Sequence, residues 1–254
     1  MRYILFIAFL LIISACSNEN STITIQDKFV SESLKNADNT GTSVVVSLRY
    51  PEITASDKNL ETTINKAIND FILAPVYEND HYQKPDDMVN SVFNAYKKLV
   101  NEFPDYKLEW QFKRDAKVVY KSDKIVTLDF TEIQFTGGAH PLEKKEFFSF
   151  DVENAAELTI DEVIDTTRPI FMELAEAKFR EFQGIAPDVN LADADYFPWN
   201  GGEFILSESF GIIGEDIIFY YNPYDIAPYY KGSSKFMLNK KDLGNMLKRP
   251  ELLD

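Results

Sequence analysis

Cysteine, histidine and tryptophan are nearly absent from this chain of 254 residues, which holds one, two and two of them respectively. A single cysteine, Cys16, makes an internal disulfide impossible. Two distant histidines, His81 and His140, do not have the spacing of a zinc site, and no His-Glu-x-x-His run occurs. No Gly-x-Ser-x-Gly elbow is present either. Positive charge is the other scarcity: 26 Lys and Arg stand against 41 Asp and Glu, a net charge of −15. That balance argues against a nucleic-acid backbone as partner, and against an electrostatic hold on an anionic membrane, because both need clustered cations. The field would draw in a cationic partner, or simply keep the chain soluble. Carboxylates are plentiful, yet Asp86-Asp87, Asp193-Ala194-Asp195 and Glu215-Asp216 lack the spacing of a calcium loop, and no pair stands out as acid and base. We therefore expect no catalytic residue, no metal site and no cofactor.

Long apolar runs are also missing, with one exception. Tyr3–Ile13 is uninterrupted, follows the lone charge Arg2, and leads into Ser14, Ala15 and Cys16. It is too short for an ordinary transmembrane helix of about 20 residues. Ile13-Ser14-Ala15-Cys16 resembles the lipobox of bacterial lipoproteins, in which the cysteine is lipidated and becomes the mature N-terminus. The alternative is an ordinary signal peptide, or a signal anchor, with a chance cysteine. Residues 1–15 are expected to be a signal peptide, with Cys16 the lipid attachment point and 16–39 a polar, flexible tether holding one short strand at Thr22–Ile25. Ser17-Asn18-Glu19-Asn20 resembles the surface-export signals of Bacteroidota lipoproteins. The expected address is the cell envelope, on the outer or cytoplasmic membrane, facing the periplasm or the cell surface. Once Cys16 carries lipid, no thiol remains for chemistry.

The aromatics are almost all Phe and Tyr, 20 and 13 residues, a bias that suits sheets. Thr42–Tyr50 alternates as a strand, which Pro51 is expected to end. Two amphipathic helices follow, one from Ser56-Asp57 towards Pro75 and one from Pro85 to Phe103. Lys107–Arg114, Lys117–Lys121 and Lys124–Phe135 read as strands, with tight turns at Asp115-Ala116 and Ser122-Asp123. After Phe135-Thr136-Gly137-Gly138-Ala139-His140-Pro141 come a strand over Glu146–Val152 and a helix over Thr166–Gln183 capped by Gly184. Strands over Phe204–Ser207, Phe210–Ile213, Ile217–Tyr221 and Ser234–Leu238 and a short helix over Lys240–Leu247 complete the pattern.

Two stretches stand out as candidate site elements. Gly137 and Gly138 offer backbone conformations that side chains resist, and Pro141 keeps the turn out of a regular ladder. His140 reads as a residue that ties down this turn rather than as an acid or base. The other stretch is Tyr220–Gly232, with five tyrosines and two prolines. Prolines pre-order such a loop, and tyrosines supply amphipathic contact area at small entropic loss, which suits a binding surface. Tyr224, Pro228, Tyr229 and Tyr230 are the candidate ligand contacts, with Tyr229 and Tyr230 the exposed pair. The alternative is that Tyr220, Tyr221 and Tyr224 merely cap the sheet core. His81, beside Asp80 in a polar loop, reads as solvated.

Taken together, Phe135-Thr136-Gly137-Gly138-Ala139-His140-Pro141, the helix after Leu158-Thr159-Ile160-Asp161, and Asn222-Pro223-Tyr224-Asp225-Ile226-Ala227-Pro228-Tyr229 form a combination similar to a known tandem. It resembles the extracytoplasmic region of RsiV-type anti-sigma factors, also found beside the catalytic domain of PdaC-type peptidoglycan deacetylases. The similarity spans roughly Thr42–Leu243. It implies an α+β fold of antiparallel sheets packed against helices, in two intimately joined subdomains: PdaC-like over 40–141 and RsiV-like over 142–254. In the anti-sigma relatives this region binds lysozyme as a sensor. The chain has a lipobox where those relatives have a transmembrane helix, and the deacetylase domain is not carried over. The resemblance therefore implies a lipid-anchored, non-catalytic binding protein for a lysozyme-like basic protein or peptidoglycan. An envelope glycan or peptidoglycan hydrolase or deacetylase-associated enzyme, and a purely structural envelope lipoprotein, are the alternatives.

Overall fold

A computed structural model describes residues 22–35 and 41–253. The expected signal peptide, Cys16 and part of the expected tether lie outside the described residues. Among the described residues, no helix is long and apolar enough to cross a membrane.

Strands β1 (Ile23–Lys35), β2 (Thr42–Ala55), β3 (Trp110–Lys121), β4 (Ile125–Phe135), β5 (Leu142–Asp151) and β6 (Ala156–Glu157) form one sheet in sequence order. All neighbours are antiparallel except β2 and β3, which run parallel. That exception follows from the connection, since α1 (Lys58–Ile72) and α2 (Pro85–Glu102) lie between the two strands and return the chain to its starting end. Helix α1 buries Leu60, Ile64, Ile68 and Ile72, one per turn, and Asp57 caps it by accepting from Asn59 N at 2.7 Å and Leu60 N at 3.3 Å. Helix α2 starts at Pro85 and turns Met88, Val89, Val92 and Tyr96 inward. Against them the sheet presents Val44, Val46, Leu48, Phe112, Leu128 and Phe130, making the first core.

The second unit begins at Leu158. Strands β7 (Phe210–Ile213), β8 (Asp216–Tyr221) and β9 (Ser234–Asn239) form an antiparallel meander. The short α3 (Ile160–Val163) leads to α4 (Pro169–Gln183), which packs Phe171, Ala175 and Phe179 on the meander and ends on Gly184 in the left-handed conformation. Helix α5 (Lys240–Leu243) closes the chain back onto the core. The ring of Phe179 lies within 5.3–6.1 Å of those of Tyr196, Phe197, Phe204, Tyr221 and Phe236.

The two units meet through a buried polar link. Thr127 Oγ1 donates to Ile212 O at 2.6 Å, and Ile212 N donates to Ser149 Oγ at 3.0 Å, so side chains of the first sheet satisfy the backbone of β7. Gly211 permits this approach, because a Cβ there would lie 3.1 Å from both Phe147 and Thr127. The C-terminal segment adds an ion pair between Arg249 and buried Asp151, and Lys124 Nζ donates to Glu251 O at 2.8 Å.

Several expectations need correction. Residues Ile23–Lys35 form a 13-residue strand along the whole of β2, not a tether, because Ile23, Val30 and Leu34 find apolar cover on the first core. Pro51 does not end β2. It sits opposite Asp27 of β1, past Arg49, where the pairing with β3 stops, so its missing N–H leaves no gap in a β3 ladder. Asp115-Ala116 is no turn but the middle of β3, whose Asp115 is buried and paired with Lys117 at 2.9 Å. Phe204–Ser207 is irregular rather than a strand. The expected subdomain boundary at 141/142 lies in the β4–β5 hairpin, whose second strand β5 pairs within the first sheet.

Candidate functional site

The β4–β5 hairpin loop and the tyrosine loop, some eighty residues apart in sequence, touch each other. The imidazole of His140 lies flat on the ring of Tyr229, with centroids 3.6 Å apart and planes 12° from parallel. Its Nε2 is 3.2 Å from Tyr224 Oη, and its Nδ1 is 3.1 Å from Pro141 O. Tyr224 and Tyr229 complete the group at 5.4 Å. Three aromatic rings thus form one outward-facing cluster.

Each arm is held from below. In the hairpin loop, Gly137 and Gly138 adopt φ of +101° and +119°. Tyr106 Oη donates to Thr136 O at 2.8 Å and accepts from Trp110 Nε1 at 2.8 Å, which fixes the turn on the first core. A Cβ at Gly137 would stand 2.9 Å from Leu108 Cδ1 and 3.1 Å from Tyr106 Oη, whereas one at Gly138 would meet nothing within 4 Å. Gly137→Ala is therefore expected to destabilise the chain by about 1–3 kcal/mol and Gly138→Ala by less; paired thermal melts check the order.

In the tyrosine loop, Asn222 behaves as an extra rung on β5. Its Oδ1 accepts from Lys145 N at 2.6 Å and its Nδ2 donates to Lys145 O at 3.1 Å. Asp225 accepts from Asn222 N at 2.6 Å, and Ile226 and Ala227 are buried in the second core, where Ile226 O accepts from Phe197 N at 2.6 Å. Tyr224 sits at φ +75°, a left-handed conformation that turns its ring out of the core. Pro228 opens the single turn Tyr229–Lys231. Tyr230 donates to Asp195, whose carboxylate pushes the phenol pKa up, and Lys231 Nζ lies 5.1 Å over the Tyr196 ring.

The exposed tyrosines are Tyr224 at 57% and Tyr230 at 70%; Tyr229, expected outside, is half-buried beneath His140. Tyr220 and Tyr221 are buried at the sheet, where Tyr221 donates to Ile205 O at 2.7 Å and burial pushes its pKa up. His81 is exposed and apart from this cluster. The neighbours that reading the sequence missed are Asn222, Asp195 and Tyr106, whose partners lie 30–77 residues away. An Asn-Pro step marks a turn in sequence, but not the strand that the asparagine will clamp.

Chemically the cluster offers flat rings, phenol hydroxyls and one imidazole on an ordered loop. No carboxylate appears among the described hydrogen-bond partners of His140. Among the described residues, no three His, Cys, Asp or Glu side chains gather as a metal site. The arrangement suits contact with a ligand surface.

Two family models match, the deacetylase PdaC model over residues 35–143 and the model for a protein of unknown function, DUF3298, over 156–241. A curated relative, the peptidoglycan-N-acetylmuramic acid deacetylase PdaC of Bacillus subtilis (strain 168), is 26% identical over 196 residues. The match takes in 73% of this chain but only 39% of the length of that relative. A DUF3298 family crystal structure from Bacteroides fragilis NCTC 9343 has a TM-score of 0.74 at 16% identity, covering 92% of this chain and 97% of its own. Another, from Pseudomonas aeruginosa PAO1, has a TM-score of 0.64 at 15% identity, covering 91% and 98%. These structures share the α+β fold described above. Along the chain, a stretch similar to the PdaC model is thus followed by one similar to the DUF3298 model.

Proposed function

We propose that the chain is a lipid-anchored, non-catalytic binding protein of the cell envelope whose partner is a lysozyme-like basic protein. The observation that carries the reading is the contact of His140 with Tyr229 and Tyr224, which turns two distant loops into one aromatic surface. Rings held by Pro228, Asn222 and the buried Ile226 lose little freedom on binding, so they suit a recognition surface. The net charge of −15 favours a cationic partner. The likeness to RsiV-type sensors suggests which one. The lipobox at Cys16 and the relative named as a peptidoglycan deacetylase both support an envelope address.

Calorimetric titration of the purified chain with hen-type lysozyme at two salt concentrations tests this. Saturable binding, micromolar or tighter, that persists at high salt is expected of a shaped interface of about 800 Å² per partner. Heat that vanishes with salt would instead mean charge attraction alone. Replacing Tyr229 and Tyr230 together by alanine should weaken binding by at least about 1 kcal/mol, a factor of five or more. Unchanged affinity in that double variant removes the tyrosine loop from the interface.

A second reading takes peptidoglycan itself as the ligand, favoured by the relative's substrate and by the open rings of Tyr224 and Tyr230. Binding of glycan fragments without turnover supports it. Turnover that disappears in His140→Ala would make the chain an enzyme and end the non-catalytic reading.

A further inference from the structure

A groove of about 420 Å³ lies on the α1 side of the first sheet and shares no residue with the aromatic cluster. One wall is α1 with the exit Ala74-Pro75, and the floor is the same-face row of β3, β4 and β5. Phe71 of α1 lies on Phe130 of β4, rings 4.7 Å apart and 9° from parallel, and Phe148 of β5 leans on Phe130 at 5.0 Å. The helix covers one part of this face, and the groove lies beside its C-terminal end.

The charges around these rings do not balance. Arg114 and Lys144 are the cations lining the groove, against Asp70, Glu132, Glu146 and Glu157. Arg114, almost wholly buried, is committed to Glu132 at 2.6 Å and to the carbonyls of Ile72 and Ala74 at 3.0 and 2.6 Å. Lys144 is committed to Glu146 at 3.0 Å, and Asp70 to Lys66 at 2.5 Å. Glu157, exposed at the rim of the groove, forms none of the described ion pairs, and its partial desolvation there raises its carboxyl pKa. An anion would face this carboxylate majority. A wholly apolar ligand would strip more water from Glu157 and give nothing back. A cation on an apolar stem satisfies both features, because aromatic faces attract positive charge and apolar rings cover the stem.

We propose that this groove binds an organic cation on an apolar stem, a primary ammonium or guanidinium, with the stem along Phe71 and Phe148 and the charge at Glu157. The source is either a free diamine or the side chain of a lysine or arginine in a partner.

NMR-monitored titration of the purified chain at low salt tests this with 1,5-diaminopentane, with neutral 1,5-pentanediol, and with the blocked tripeptide Gly-Lys-Gly. Saturable shifts at the amides around Phe130, Phe148 and Glu157 are expected with the diamine or the peptide, and none with the diol. Glu157→Gln should raise the Kd at least five-fold, while Glu203→Gln, an exposed carboxylate of the second unit, should leave it unchanged. Tighter binding of the peptide assigns the groove to a protein side chain, and tighter binding of the diamine assigns it to a free amine. Absence of shifts with both amines, equal binding of the diol, or equal effects of the two Gln variants overturns the proposal. None of these results depends on whether lysozyme binds the tyrosine loop.

Discussion

Phe179→Ala should lower stability by about 3–5 kcal/mol, the range for removing a buried aromatic ring. The position predicts a value near the top of it. Phe179 is fully buried on the inner face of α4, and five rings from the 196–204 segment, β8 and β9 converge on it. They come from the 196–204 segment and from two paired strands of the second sheet, so they cannot all move inward to close the gap. For a chain of this size the loss corresponds to about 6–20 °C in Tm, taking about 2–4 °C per kcal/mol. Buried Trp110 reports on the first core and exposed Trp199 on the second unit, so single-tryptophan versions can follow each separately. Because Thr127 and Ser149 satisfy the backbone of Ile212 across the junction, both probes should report one transition. A loss under about 1 kcal/mol would show that the cluster repacks around the gap rather than being close-packed.

Arg249→Met carries the second large effect. Asp151 is buried, and burial works to raise its carboxyl pKa, but hydrogen bonds from Arg249 and Asn154 outweigh this and hold it below the usual range. Removing Arg249 strands a buried carboxylate on Asn154 and the backbone N–H groups of Glu153 and Asn154. Breaking such a pair costs about 3–5 kcal/mol when fully buried. Arg249 is partly solvent-exposed, so screening reduces the expected loss to about 2–4 kcal/mol. The sign with pH follows from the depressed value. The wild-type contribution is complete above about pH 4, the unfolded carboxyl's range, and disappears as pH falls through the lower folded value. The gap between wild type and Arg249→Met should thus be widest near neutrality and narrow in acid, where Asp151 is protonated in both. Denaturant midpoints measured between pH 7 and pH 3 check it. A gap independent of pH would mean that Arg249 acts by packing alone. The double variant Asp151→Asn, Arg249→Met should lose less than Arg249→Met, since no buried charge is then left alone.

Much of the fold was legible because it depends on local chemistry. The apolar stripe of α1, Pro85 at the start of α2, the Ser122-Asp123 turn, and Gly184 ending α4 each act within a few residues of themselves. Alternation along β5 puts Phe147 and Phe148 on opposite faces, one in the small cluster against β8 and the other on the first core. The errors fell where distant partners override local preference. A polar segment became β1 because β2 offers it a full ladder, and Asp115-Ala116 stayed extended because β2 and β4 hold β3 on either side.

The candidate site divides in the same way. By itself the sequence determined the parts: a Gly-Gly turn with a histidine, a proline-ordered loop rich in tyrosine, and an acidic composition. Only the tertiary structure decided that His140 lies on Tyr229, that Tyr224 rather than Tyr229 faces solvent, and that Asn222 clamps β5. The same holds for the groove, whose rings come from α1, β4 and β5. The physical reason is range. Turn and helix propensities are set by neighbours along the chain, whereas a surface is set by strand register and sheet docking, which bring together side chains that nothing in their own segments relates.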